Sequence, residues 1–447
     1  MSGAEAIMWA VERDPALRSD FCNLTVVERM PSEDRMRRTL ERAVAAVPRL
    51  GQRVVGAPLK LAPPEFTDAP DLDLDAHLLR LTLDPPGDER ALLDLCAARA
   101  ELPLDRSRPL WEFVIVDGLT GGRAALFQKV HHAITDGVGA LRLSLAFVDL
   151  TAEGSDHPPA PPRPADRHRS APVDAAARGI DAVRHAIGGT ARALTHPRDL
   201  PGRAGDAGRL VGSLQRQVLV TDRAHSDVLT GRSLHRRFET RRLSLPALRS
   251  AAQRLGGSVN DAYVTGLAGA LGRYHLRNGS DVEALRLAMP VNMRAQGGRT
   301  TSNAFAPTRV LVPIRPADDP EALFRIVHDR LEIAKHETAL AAAEGLAGVM
   351  SGLPTPVLVS LTRSQTRTID FAASNLRGSP VPLYLAGERI LANYPFGPRT
   401  GTPLNATVLS YCDDLDLGCN IDPAAVTDPD GFMADLDDSF ADLLGSS

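Results

Sequence analysis

Lysine is nearly missing from this chain: three of 447 residues, Lys60, Lys129 and Lys335, although basic side chains number 51. Positive charge is therefore almost all arginine, dispersed along the chain and balanced to a formal net charge of −4. Such dispersion offers no single-sign patch for a phosphate backbone, so nucleic-acid binding is set aside. Cysteine is scarce too. Cys22, Cys96, Cys412 and Cys419 form no CxxC pair and are too few for a disulfide framework, which points to a reducing cytoplasm. At the start of the sequence Glu5, Glu12 and Asp14 interrupt the apolar residues and no basic leader precedes them, so no signal peptide is expected. Nor does any apolar run reach the roughly 18 residues of a membrane span. The nearest, Leu346 to Leu361, is broken by Ser351, Pro354, Thr355 and Pro356, so membrane contact is expected to be peripheral only. A nucleophile elbow of the form GxSxG precedes no helix in the sequence.

What is present is ordinary globular material, 43% apolar and 24% charged, and long enough for two cores of roughly 150 to 200 residues. Residues 1–150 alternate helical and extended patterns, with helices at about Ser32 to Val47 and Arg90 to Glu101. Strands Trp111 to Val116 and Ala124 to Val130 are joined by a hairpin turn. Residues 151–233 form a linker region: prolines crowd between His157 and Pro172, and Ile180, Val183, Ile187 and Leu194 then share one face of an amphipathic helix over 174–198. That face suits either packing on the second domain or a membrane surface. Residues 234–447 read as a second α/β unit. Its expected elements are a strand at Arg237 to Leu243, helices at Pro246 to Leu255, Asn260 to Arg277 and Pro320 to Lys335, and closing strands near Pro382 to Leu385 and Thr407 to Tyr411.

The chemistry-bearing segment is Lys129-Val130-His131-His132-Ala133-Ile134-Thr135-Asp136-Gly137, an HHxxxDG pattern where a strand passes into a helix. An imidazole with an ordinary pKa near 6.5 can take the proton of a hydroxyl at neutral pH, which an alcohol needs before it attacks a thioester. Asp136 can hold the loop by pairing with an arginine, and Gly137 permits the tight turn. Three other readings compete. Adjacent histidines on extended backbone point to opposite faces, so a zinc site using both is disfavoured and no metal is assigned. His132 could instead activate a serine or cysteine, or the pair could be two packed core histidines.

HHxxxDG is shared by chloramphenicol acetyltransferases, peptide-synthetase condensation domains and bacterial wax ester synthases, and flanking residues choose among them. Pro103-Leu104-Asp105-Arg106-Ser107-Arg108-Pro109-Leu110-Trp111-Glu112, Asn260-Asp261, Pro290-Val291-Asn292-Met293-Arg294 and Ser374-Asn375-Leu376-Arg377-Gly378 resemble the bacterial wax ester synthase/diacylglycerol O-acyltransferase family. The resemblance spans nearly the whole chain except the linker region. It departs at Ser302-Asn303, where the family has GN, at SNLRG for SNVPG, and at Ala262-Tyr263 after the ND pair; these departures bear on acceptor choice.

The resemblance implies an α/β fold, two-layer in each half, with two chloramphenicol-acetyltransferase-like domains and the active site in a tunnel between them. It implies transfer of a long-chain acyl group from acyl-CoA, a substrate and not a cofactor, to diacylglycerol or a long-chain alcohol. His132 would be the general base, His131 a packing partner, Asp136 the mate of Arg294, and Asn260 either an oxyanion donor or a helix N-cap. Trp111 and Asn303 would support the site, and the protein would be cytoplasmic, with peripheral contact at the inner membrane face or a lipid droplet left open. Two readings remain beside it: an enzyme taking its acyl group from a carrier protein, and a catalytically silent lipid-binding protein.

Overall fold

The computed structural model describes residues 1–56, 64–134, 143, 146–154, 223–292, 305–335 and 354–445. The linker region from 155 to 222, with its amphipathic helix, lies outside them, as do Asp136, Gly137, Arg294, Asn303 and the first part of the interrupted apolar run. Among the described residues no helix is long and apolar enough to cross a membrane.

The first half runs α1 (Gly3–Val11), β1 (Asp20–Val27), α2 (Glu33–Ala46), β2 (Gln52–Val55), β3 (Glu65–Asp68), β4 (Leu78–Thr82), α3 (Glu89–Glu101), β5 (Trp111–Asp117), β6 (Ala124–His131) and β7 (Val148–Asp149). α2 starts after Ser32 with Glu33 and Asp34 at the positive end of its dipole, and buries Met36, Leu40, Ala43 and Val44 along one stripe. α3 is capped by the Asp88 side chain. β5 and β6 are buried on both faces, as the near-continuous apolar runs in their sequences require for central strands.

The second half runs β8 (Arg237–Ser244), α4 (Leu245–Arg254), α5 (Val259–Arg277), β9 (Ala284–Asn292), β10 (Phe305–Pro313), α6 (Pro320–Lys335), α7 (Thr355–Thr366), β11 (Phe371–Leu376), β12 (Tyr384–Leu385), β13 (Glu388–Phe396), β14 (Leu404–Tyr411), β15 (Asp414–Ile421) and α8 (Pro429–Leu444). α5 is buried almost all round, and its glycines admit its neighbours. A Cβ at Gly266 would lie 2.3 Å from the Phe440 ring of α8, and one at Gly272 would lie 2.1 Å from the Ile314 carbonyl. The core of this half joins α5 and α8 to strands β9, β11, β14 and β15.

Two sheets result. The second has six strands in the order β10-β9-β11-β14-β15-β8; the first has seven, in the order β4-β5-β6-β1-β13-β12-β7. This corrects one expectation from sequence, because the closing strand at Tyr384–Leu385 and all of β13 belong to the first sheet. β13 pairs antiparallel with β1, Cys22 opposite Phe396 and Thr25 opposite Asn393. The sequence separation of this pairing is about 370 residues, and no local pattern encodes the partner of a strand that distant. Phe396 then stacks on Phe238 of β8 at 4.1 Å, so the two halves share one aromatic contact layer. At Gly418 of β15 a Cβ would lie 2.1 Å from the Pro395 carbonyl, which shows how closely the second sheet approaches β13.

Candidate active site

β6 ends at His131, opposite Asp20 at the start of β1, and the His132 backbone N–H donates to the Ser19 carbonyl at 3.3 Å. Strand alternation sends the two imidazoles to opposite faces, and their partners differ accordingly. His131 is buried, with Nδ1 accepting the Ala133 N–H at 2.9 Å. That acceptor role assigns the ring proton to Nε2, which lies 2.8 Å from Glu12 Oε1, off the line of a well-formed hydrogen bond. The same Glu12 oxygen accepts the Ser19 N–H at 2.6 Å. One carboxylate of the segment following α1 therefore holds the Ser19 backbone, which accepts the His132 N–H, and lies against the His131 ring.

The His132 ring lies 5.0 Å from that of Phe21 and keeps partial solvent contact although it sits deep among protein atoms. Burial, then the like charge of His131, push its pKa down to about 4, against the opposing pull of Asp20. The imidazole is thus a neutral proton acceptor throughout the neutral range, the protonation state a general base needs.

A second tier holds the backbone that follows His132. Arg49 donates to the Ala133 carbonyl and to Glu5 Oε1, both at 2.6 Å. Arg106 lies 3.3 Å over the Trp9 ring and donates to the Trp9 carbonyl at 2.9 Å, while Trp9 packs edge-on to His131 at 6.4 Å. This gives the PLDRSRPLWE run a physical purpose: its turn is pinned by Asp105 accepting from Ser107, and its arginine clamps the helix beside the histidines. Trp111 at the end of that run is buried, donates Nε1–H to the Leu50 carbonyl at 2.8 Å and stacks on His77 at 4.3 Å. Lys129 is also buried; its ammonium reaches the Arg99 and Leu102 carbonyls at the end of α3, a cation at the negative end of the dipole. Arg236, from the second half, closes on Asp20 at 3.4 Å and on Glu101 through its backbone N–H at 2.6 Å.

Asn260 is the second residue of α5, and the N-cap is Ser258, in a capping box with Asp261. The N-cap alternative for Asn260 is therefore corrected. Its Oδ1 accepts from Asn375 at 3.4 Å and its amide points to Met289 Sδ at 3.9 Å; among the described residues no contact joins it to His132. Asn260 and Asn375 come from the two family-like pairs ND and SN, so the fold does bring those motifs together. Sequence reasoning did not single out Glu12, Ser19 or Arg49. Each is a lone residue with no spacing pattern, and only Arg106 stood inside a noted motif.

A serine does lie beside a histidine elsewhere, Ser226 Oγ at 2.8 Å from His275 Nε2. Both are buried, the serine accepts the Leu229 N–H, and His275 Nδ1 meets the Leu271 carbonyl at 2.7 Å, so the pair fastens a loop. Asp261, His328 and Glu332 bring ligand-type atoms within 4.8 Å of one another. Asp261 Oδ2 there already accepts from Ser258 and His328, and Glu332 faces Lys335.

With this geometry in view, comparison with known proteins is decisive. Residues 1–263 match the wax ester synthase/diacylglycerol acyltransferase catalytic domain, and residues 301–444 the C-terminal domain of the same enzymes. The chain belongs to the wax ester synthase/diacylglycerol acyltransferase family. A Mycobacterium tuberculosis relative carrying the unproven name diacylglycerol O-acyltransferase is 35% identical over 98% of this chain and 90% of its own length. Another from that organism with the same unproven name is 28% identical over all of this chain and 97% of its own. The solved wax ester synthase/diacylglycerol acyltransferase of Marinobacter aquaeolei VT8 superposes with a TM-score of 0.63 at 21% identity, covering 98% of this chain and 97% of that one. A starter condensation domain of rhizomide synthetase, solved with C8-CoA, gives 0.58 at 16% identity over 99% and 93%. Both are likenesses of fold. As a member of the wax ester synthase/diacylglycerol acyltransferase family, the chain is an O-acyltransferase acting on an alcohol or diacylglycerol hydroxyl.

Proposed function

We propose that the enzyme moves a long-chain fatty acyl group directly from acyl-CoA to a diacylglycerol or long-chain alcohol, with His132 as the general base. The observation that carries this is the state of His132: neutral through burial, its backbone fixed by Ser19, and its neighbour His131 committed to Ala133 and Glu12. In the reaction His132 takes the hydroxyl proton as the oxygen attacks the thioester carbonyl carbon. The tetrahedral oxyanion collapses, the C–S bond breaks, and the imidazolium returns the proton to the leaving thiolate. Ester and CoA thiol are the products, and no acyl-enzyme is needed.

On this reading Asn260, held by Asn375, donates to the oxyanion or orients the acceptor hydroxyl. Asp136 pairs with Arg294 beneath the loop, Asn303 and Trp111 support the site, and donor and acceptor enter a tunnel between the two halves from opposite mouths. The insolubility of the acceptor favours work in the cytoplasm at the inner membrane face or a lipid-droplet surface. The test is purified protein with palmitoyl-CoA and, in parallel, diacylglycerol and hexadecanol, with products separated by thin-layer chromatography and an acyl-carrier donor as a further arm. Ester formed from palmitoyl-CoA and lost in His132→Ala supports the reading. Transfer only from the carrier donor, or undiminished transfer by the variant, overturns it.

A further inference from the structure

A cavity of about 650 Å³ opens at the junction of the two halves, well away from the histidines. Its apolar wall comes from Leu24 and Val26 of β1, Leu92 and Leu93 of α3, and Ile390 and Ala392 of β13. Its rim carries Arg123, Arg242 and Arg389 against Glu89 and Asp414. The volume is that of a small-molecule site, commonly about 300 to 1,000 Å³ with apolar walls and a few polar groups.

This space is distinct from the transfer site. His131 pairs with Asp20, whereas the cavity begins at Leu24 and Val26 on the same strand; at about 3.3 Å per residue this is roughly 13 to 20 Å further on. Between them on that face lie Cys22 and Phe127, packed with Phe238 and Phe396 in one buried cluster. His132 by contrast meets Phe21, which alternation places on the opposite face of β1.

The charges at the rim name the occupant's class. Arg242 is engaged by Asp416 at 3.0 Å and by Asp414 at 3.4 Å, and Glu89 accepts from Thr240. Arg123 spends its Nε–H on the Thr120 carbonyl, and among the described residues neither Arg123 nor Arg389 pairs with a carboxylate. A largely apolar cavity whose lining includes two such guanidiniums suits a single alkyl chain ending in a carboxylate. We propose that this cavity binds a free long-chain fatty acid, its chain along β1, α3 and β13 and its carboxylate at Arg123 and Arg389. The ligand touches both halves there, so occupancy would tie the first sheet to β8. The choice of a fatty acid draws on the acyl-transfer reading, but binding needs no turnover, so the two can fail separately.

The protein supplies its own reporter. Cys412 lines the cavity and is partly exposed, whereas Cys22, Cys96 and Cys419 are at most 1% exposed. Full-length protein is labelled with a maleimide, with the modified cysteine identified by peptide mass, in the presence of monomeric palmitate, palmitoyl-CoA or hexadecanol. Palmitate should slow Cys412 labelling at least tenfold, in wild type and equally in His132→Ala, and hexadecanol should not. Arg389→Ala should weaken the protection at least tenfold in palmitate concentration, and Ala392→Phe, which fills the space, should abolish it. Arg389 is exposed, so its variant tests the idea even if Ala392→Phe does not fold. Unchanged labelling with palmitate, equal protection by hexadecanol, protection only by palmitoyl-CoA, or protection lost in His132→Ala would overturn the proposal.

Discussion

The acid limb of the rate profile is the sharpest consequence of the site. An imidazole of ordinary pKa, near 6.5, would be about 90% neutral at pH 7.5 but only about 10% neutral at pH 5.5, so activity would fall about tenfold. With its pKa pushed down to about 4 by burial and His131, the His132 ring stays almost wholly neutral at both values. The expected kcat/KM at pH 5.5 is therefore within about a factor of two of that at pH 7.5, with the limb falling only near pH 4 to 5. The assay is kcat/KM for palmitoyl-CoA from pH 3.5 to 8 at constant ionic strength, which reports the free enzyme. Stability has to be followed in parallel because it too falls as the pH drops. His77, His132 and His275 all have folded-state pKa values lowered first by burial, so the unfolded chain binds more protons below about pH 6.5. The fold keeps its full contribution above that pH and loses it as pH falls toward the folded values. Circular dichroism at each pH separates this loss from titration of the base. A stable enzyme whose activity halves near pH 6.5 would show that His132 is not desolvated, and one with no limb down to pH 3.5 would show that it is not the base.

Mass spectrometry after incubation with palmitoyl-CoA alone should show unmodified protein; a stable acyl adduct on serine or cysteine would refute direct transfer. Arg49→Ala removes the donor to the Ala133 carbonyl and strands the buried Glu5, costing about 1.5 to 3 kcal/mol and lowering kcat, read by denaturant melts and by rescue in Arg49→Lys. Gly418→Ala drives a Cβ to 2.1 Å from the Pro395 carbonyl, backbone against backbone, so the melting transition should fall by the equivalent of about 1 to 3 kcal/mol, and an unchanged melt would deny the close sheet contact. Asp136→Asn and Arg294→Ala should each lower stability, and a double-mutant cycle should find their effects strongly non-additive if they form the proposed pair. Additive losses would separate them.

How legible the protein was in its sequence depends on how local each feature is. α2, α3, α4 and α6 and strands β5, β6 and β8 lie within a few residues of where apolar period and capping residues put them, because burial of one stripe or face is written in consecutive residues. β1 escaped that reading, since Asp20, Asn23 and Thr25 break its apolar run, and they do so for a tertiary reason. Asn23 donates to Gln128 and Asn393 on the strands either side, a polar row possible only once β6 and β13 flank it. HHxxxDG and PLDRSRPLWE named the acyl-transfer reaction and the family by themselves, because such motifs hold specific residues at fixed short spacing. The tertiary structure alone decided that β13 completes the first sheet. It also decided that Glu12, Ser19, Arg49 and Arg106 gather around the histidines and their flanking backbone and that burial lowers the pKa of His132. Those outcomes depend on contacts between residues tens to hundreds of positions apart, and on how much water the packed halves exclude from one ring, quantities that no local pattern of side chains contains.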